Sequence, residues 1–196
     1  IILFYLAVTI AFIITSTAKY KIHPFLVLIF ASLIMGFMGG LEPNVILKTL
    51  SEGFGNTLKS IGIIIAGGSI IGVFLERTKA AQAIAEKIVK IVGDGNSSLA
   101  MNLTGGIVSI PVFCDSGFVI LSSLNNAINK KTKISLAILG TSLAAGLYTT
   151  HVFVPPTPGP LAAASILEAN VGLVLLYGLI IAIPVSLVGW FWSISY

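Results

Sequence analysis

Two stretches hold most of the residues able to do chemistry in this otherwise apolar chain. One is Ser109-Ile110-Pro111-Val112-Phe113-Cys114-Asp115-Ser116-Gly117, and the other runs His151-Val152-Phe153-Val154-Pro155-Pro156-Thr157-Pro158-Gly159-Pro160. Each interrupts a run of helix-compatible apolar residues. In the second, four prolines within six residues cannot stay helical, because proline has no N–H and restricts its preceding neighbour. A helix that breaks and restarts exposes unpaired backbone N–H groups at the head of its second half. Those groups, with the helix dipole, hold an anion without any fixed positive charge. Here Ser116 and Gly117 are expected to open a helix running to Asn129, and Gly159 and Pro160 a half-helix beginning at Leu161. The candidate substrate-binding set is therefore Cys114, Asp115, Ser116 and Gly117 with Thr157, Pro158 and Gly159. A small carboxylate suits two such openings converging on one cavity.

Asp115 is the one acidic residue that falls deep in an apolar segment. A carboxyl group held away from water is costly to ionise and can carry a proton, so Asp115 is a candidate for proton coupling. The alternative is an N-cap for the helix that follows. His151, at a helix end beside the proline break, is a second candidate for proton coupling, since imidazole chemistry suits a relay; a structural histidine is its alternative. Cys114 beside Asp115 lacks any visible oxyanion framework, and a buried cysteine is usually a small hydrophobe, so no enzyme is expected. Asn125, Asn126 and Asn129 either hydrogen-bond substrate hydroxyls or cap the end of their helix.

The elements that must position these groups are membrane helices. Of 196 residues, 56% are hydrophobic and only 9% charged, against about 25% charged in a soluble domain; the mean hydropathy is +1.04. The apolar residues come in blocks, such as Phe25 to Leu41 and Val171 to Trp192, near the ~20 residues that cross a bilayer. Ile1 to Thr17 has no charged leading region and no cleavage site, which argues against a signal peptide. The chain opens on Ile rather than Met, so residues ahead of it are expected. The single cysteine excludes an internal disulfide and a multi-cysteine metal site, and no cofactor is implied. The net charge of +4 reads as a topological signal rather than a nucleic-acid footprint.

Residues 1–75 read as three transmembrane helices, with a loop carrying a short interfacial helix over 42–59. Residues 76–96 read as an amphipathic helix on the cytoplasmic surface, because Ala80, Ile84, Ile88 and Ile91 recur at helical spacing and Gly93-Asp94-Gly95-Asn96 stops them. Lys and Arg cluster at 19–21, 77–90 and 130–133, which places the amino terminus outside. Both ends of residues 97–129 then lie on one side, so this segment is expected to be a re-entrant hairpin turning near mid-membrane, where irregular backbone must be buried or line a cavity. Residues 130–170 form a broken transmembrane helix and 171–196 the last crossing, with Trp190, Trp192 and Tyr196 in an interfacial aromatic belt. The whole is an all-α integral membrane protein with about five crossings. Helices at 3–40 and 171–193 are the expected scaffold.

Ile110-Pro111-Val112-Phe113-Cys114-Asp115-Ser116-Gly117-Phe118-Val119-Ile120-Leu121 closely resembles a segment of the gluconate permease family, the gluconate:proton symporters. So do Thr150-His151-Val152-Phe153-Val154-Pro155-Pro156-Thr157-Pro158-Gly159-Pro160, Gly53-Phe54-Gly55-Asn56-Thr57-Leu58 and Gly72-Val73-Phe74-Leu75-Glu76. The resemblance implies proton-driven import of gluconate or a related sugar acid across a bacterial inner membrane. It also implies membership of the ion-transporter superfamily, built from two inverted repeats, each with a hairpin and a broken helix. This chain resembles the N-terminal half, so its expected partners are a small anionic substrate, a proton, the lipid bilayer and a C-terminal repeat or partner chain; a homodimer is compatible with that. The family's other carboxylate carriers leave glycerate and D-serine as alternative substrates. A sodium-coupled carrier and an ion channel are rival readings of the same broken helices.

Overall fold

The computed structural model describes residues 2–195, and their regular structure is helical, with no strand among the described residues. Tyr196, expected in the aromatic belt, lies outside them. Helical runs Ile2–Lys19, Pro43–Arg77, Leu136–Ile166 and Val171–Ile194 are long and apolar enough to cross a membrane, whereas Pro24–Met38 is shorter. Of the five crossings expected, four thus meet that length and the second does not. The chain divides into two compact units, Ile1–Lys59 and Ser60–Tyr196.

In the first unit, α1 (Ile2–Ile14) widens into a π turn over Thr15–Lys19. There Thr15 and Thr17 donate to the carbonyls of Ala11 and Ile13, both at 2.7 Å. Helix α2 (Pro24–Met38) starts on Pro24, and His23 caps it by accepting from the Phe25 N–H at 3.3 Å. Helix α3 (Pro43–Thr57) occupies most of the stretch expected to be a loop with only a short interfacial helix. Gly53 and Gly55, which prompted that expectation, cost a helix only about 1 kcal/mol each. The cost is met by an apolar face whose Ile46 is buried against α2; a Cβ on Gly36 would lie 2.8 Å from Ile46 Cγ1.

The second unit contains α4 (Ile63–Arg77), α5 (Ala80–Val92), α6 (Ser97–Val108), α7 (Cys114–Thr132), α8 (Leu136–Phe153), α9 (Pro158–Ile166) and α10 (Val171–Ile194). Its core is Met101 of α6, Leu121 of α7 and Leu139, Leu143 and Leu147 of α8, with Ala81 and Ala85 of α5. Helices α6 and α8 run parallel at backbone contact. A Cβ on Gly105 would fall 2.5 Å from the Leu143 carbonyl, one on Gly146 would strike the Asn102 carbonyl, and one on Gly106 would lie 3.6 Å from Thr150 Oγ1. Small residues drive helix association in lipid, where apolar burial gives no net advantage.

Polar contacts lock the same pair to α10, which runs antiparallel to both. Fully buried Asn102 donates to the carbonyls of Ser142 (3.1 Å) and Ser186 (3.3 Å) and accepts from the Ser186 hydroxyl (2.8 Å). Ser142 and Ser193 share a hydroxyl bond of 2.6 Å. Trp190, expected in the aromatic belt, turns inward and donates its indole N–H to Ser98 Oγ at 3.1 Å.

If the glycine contact fixes this geometry, Gly146→Ala loses about 1–3 kcal/mol by overpacking. Gly53→Ala, at a site with nothing within 4 Å, is neutral or gains up to about 1 kcal/mol. Unfolding of the purified chain in detergent micelles measures both, and equal effects would sink the account.

Candidate functional site

Parallel packing brings the carboxyl ends of α6 and α8 to one level, so both breaks leave the core side by side. The first spans Ser109–Phe113, between α6 and α7. The second spans Val154–Thr157, between α8 and α9, and includes a cis Pro155–Pro156 peptide. Phe113 of the first meets His151, just before the second, edge to face with ring centroids 6.1 Å apart. Helix α4 seats both breaks through glycines one turn apart. A Cβ on Gly72 would strike the Pro111 carbonyl, and one on Gly68 would fall 2.7 Å from Pro156 Cγ. Ile65 and Ser69 of α4 line a crevice of about 10 Å³ with Pro111, Phe113, Pro156 and Thr157.

The two restarting helices differ in what they offer an anion. Helix α7 starts at Cys114, earlier than the expected Ser116, with Phe113 in the capping position. Its first intrahelical bond is Gly117 N–H to the Phe113 carbonyl at 2.9 Å. The N–H groups of Cys114, Asp115 and Ser116 are therefore the orphan donors of its first turn. Asp115 sits within that turn rather than at the cap, so its carboxylate acts as an acidic group near the positive end of the dipole. The Cys114 thiol points to Asp115 Oδ1 at 3.7 Å.

Helix α9 starts at Pro158, not at the expected Leu161, and its first bond is Leu161 N–H to the Thr157 carbonyl at 3.4 Å. Pro158 and Pro160 have no N–H to give, so its first turn presents only the Gly159 donor. Thr157 does not cap α9. Its buried hydroxyl turns back to the carbonyls of His151 and Val154, both at 2.8 Å, and closes the end of α8.

The structure thus brings the two breaks together but does not gather every expected residue into one cavity. Cys114 and Asp115 line a cavity of about 310 Å³ with Phe118 and Val119 of α7 and Ala144, Leu147 and Tyr148 of α8. Asp115 is exposed. Gly117 is instead a packing position, where a Cβ would meet Leu147 Cδ2 at 2.8 Å. Pro158 and Gly159 are exposed at the head of α9, outside that cavity, and Ser116 is half-buried beside it. His151 is half-buried, with its Nδ1 unpartnered among protein groups and its ring 6.4 Å from that of Tyr148. Of the three asparagines, Asn129 caps by donating to the Ile134 carbonyl at 2.7 Å, Asn126 is exposed, and buried Asn125 leaves its Oδ1 unpartnered.

Sequence reasoning passed over Tyr148, although it lies three residues before His151 and so on the same helix face. It also missed the packing role of Gly68 and Gly72, whose four-residue spacing is the signal of a close helix approach. A larger cavity, about 890 Å³, lies in the first unit among α1, α2 and α3. Its lining, including Ile13, Met35, Ile46 and Leu50, is mainly apolar and carries no carboxylate or histidine, so the cavity at Asp115 is the candidate site.

A family model described as GntP family permease matches residues 1–193. An uncharacterized permease of Haemophilus influenzae is 42% identical over 84% of this chain and 34% of its own length. A gluconate permease of Pseudomonas aeruginosa is 35% identical over 91% of this chain and 40% of its own length. The D-serine transporter of Escherichia coli is 35% identical over 94% and 41%, respectively. The chain thus spans about two fifths of the length of the curated relatives it matches. No solved structure is significantly similar to it.

Because the buried Thr157 hydroxyl serves the carbonyls of His151 and Val154, Thr157→Val is expected to cost about 1–3 kcal/mol, and Thr157→Ser to recover most of that. Unfolding of the purified chain tests it; a Val variant as stable as the parent would return Thr157 to the list of free ligand groups.

Proposed function

The chain belongs to the GntP family of permeases, and from that premise we propose that it forms part of a proton-coupled symporter importing gluconate or a related small hydroxy acid. It is a multi-pass protein of the bacterial inner membrane. The observation that carries the proposal is the pairing of two helix breaks beside a cavity headed by the α7 first turn and Asp115. Broken helices of this kind build substrate sites near the midplane of secondary transporters.

In this mechanism the N–H groups of Cys114, Asp115 and Ser116 receive the substrate carboxylate, and Gly159 adds a donor from the second break. Asp115 is the proton carrier. Ionised, it puts its own negative charge on the turn where the substrate anion must sit; protonated, it leaves those donors to the substrate. Substrate and proton therefore bind together. His151 relays the proton, its ring bridging Phe113 and Tyr148. We assign α6, the first break and α7 to a re-entrant hairpin, since irregular backbone at that depth is tolerated where it lines a cavity. Residues 76–96 then lie on the cytoplasmic surface, 130–170 form the broken span, and α1, α2 and α10 belong to the scaffold. The matched relatives are more than twice as long as this stretch, and a second, inverted repeat facing these breaks would complete the site.

A second reading follows from the similarity to a D-serine transporter. An amino acid would place its carboxylate on the same N–H groups and its ammonium against an ionised Asp115.

The test is uptake of radiolabelled gluconate into membrane vesicles carrying this chain, alone and co-expressed with the rest of a full-length carrier, with and without an inward proton gradient. Gradient-driven accumulation is expected with the completed carrier. Asp115→Asn is expected to reduce it to simple equilibration. Accumulation that survives Asp115→Asn removes the proton role of Asp115, and transport of D-serine without gluconate selects the second reading.

A further inference from the structure

A groove of about 330 Å³ lies between α5 and the C-terminal half of α7, and none of its lining residues belongs to either break. Val89 of α5 and Leu124, Ala127 and Ile128 of α7 give it an apolar floor. Its rim is charged in both signs, with Glu86 and Lys90 on α5, Asp94 just beyond α5 and Lys131 near the end of α7. The Lys131 ammonium meets the Asp94 carboxylate at 2.6 Å, which ties the corner after α5 to α7 and sets the width of the groove. Glu86 accepts from the Gln82 side chain at 3.1 Å, while Lys90, one turn on, is exposed with no carboxylate within ion-pair distance among the described residues.

That rim selects against simple ions. A polyanion would face Glu86 and Asp94, and a cation would face Lys90 and Lys131. A ligand with a phosphate and an ammonium a few ångströms apart satisfies both signs at once. The apolar floor adds a requirement for hydrocarbon next to that headgroup, and Ile84 and Ile91, on the face of α5 away from the groove, are 39% and 75% exposed. An amphipathic helix with this division of faces lies in the headgroup layer of a bilayer, where a zwitterionic lipid presents that combination.

We propose that the α5–α7 groove is a binding site for a zwitterionic phospholipid whose headgroup carries a primary amine. Its phosphate sits between Lys90 and Lys131, and its ammonium donates to Glu86 and Asp94. A primary ammonium has three N–H donors for those carboxylates, and a quaternary one has none. Charge-assisted bonds of this kind separate the two headgroups by about tenfold, the factor that 1.4 kcal/mol gives.

The purified full chain, in detergent with equimolar phosphatidylethanolamine, phosphatidylcholine and phosphatidylglycerol, is assayed for retained lipid by native mass spectrometry. Phosphatidylethanolamine is expected to be retained about tenfold over phosphatidylcholine, and above phosphatidylglycerol. Glu86→Gln with Lys90→Gln, both exposed and outside the Lys131–Asp94 pair, is expected to abolish that preference without loss of helix content. Equal retention of the three lipids overturns the proposal, as does a preference unchanged in the double variant. Soluble phosphoethanolamine displacing the lipid at equal concentration also overturns it, because the site would then be one for a free metabolite. Should the double variant misfold, Glu86→Gln alone, which removes the negative charge facing the ammonium, must lower phosphatidylethanolamine retention and spare phosphatidylglycerol.

Discussion

The backbone contact between α6 and α8 is the constraint on which the rest of the second unit depends. Gly106 and Thr150 meet near the ends of these parallel helices, so the two end at about the same level, each in a break. Neither Gly105 nor Gly146 can carry a side chain without moving a main-chain carbonyl, so the pair has little freedom to slide. Asn102 fixes the remaining degree of freedom by spending both amide protons and its carbonyl oxygen on α8 and α10. Interhelical hydrogen bonds in membranes are worth only about 0.6–2 kcal/mol each. Their value here is directional, since a shift of one turn would leave Asn102 unpartnered in an apolar surround.

Once the breaks are side by side, their sequences divide the work. The first break keeps ordinary residues at the head of α7 and so leaves N–H groups to give. The second places proline at alternate positions of α9, which removes donors that would otherwise need partners, and turns Thr157 backwards to satisfy the carbonyls of α8. One break is chemically open and the other is nearly sealed. Helix α4 supports both by the same device, a glycine under each bend, so movement of α4 cannot spare one break and disturb the other.

The existence of the breaks was legible in the sequence because proline and glycine act locally. Apolar runs gave the membrane class for the same reason, since length and composition suffice. Helix starts were less legible. Whether α7 begins at Cys114 or Ser116 turns on where Phe113 becomes extended, and that depends on α4 and His151 beneath it. For 42–59 the glycines point to a loop with only a short interfacial helix, because the seat that Gly36 offers Ile46 is not visible in the sequence. The division of labour between the breaks was in principle readable, since Pro158 and Pro160 lack N–H groups in any fold. The Asn102 clamp was not, because its partners on α8 and α10 lie 40 and 84 residues away.

The open break carries its own competitor. An acidic side chain in the first turn of a helix is stabilised by the same partial charge that would hold a substrate carboxylate, so under the proposed function Asp115 and an anionic ligand contend for one turn of α7. Two negative charges a few ångströms apart on one helix turn repel each other. Removing one charge by protonation is the least disruptive resolution, because it asks nothing of the rigid α6–α8 pair. Under the proposed function, coupling then needs no long-range signal: the proton and the substrate meet on the same three residues, and the surrounding helices need only keep the two breaks in register while both are bound.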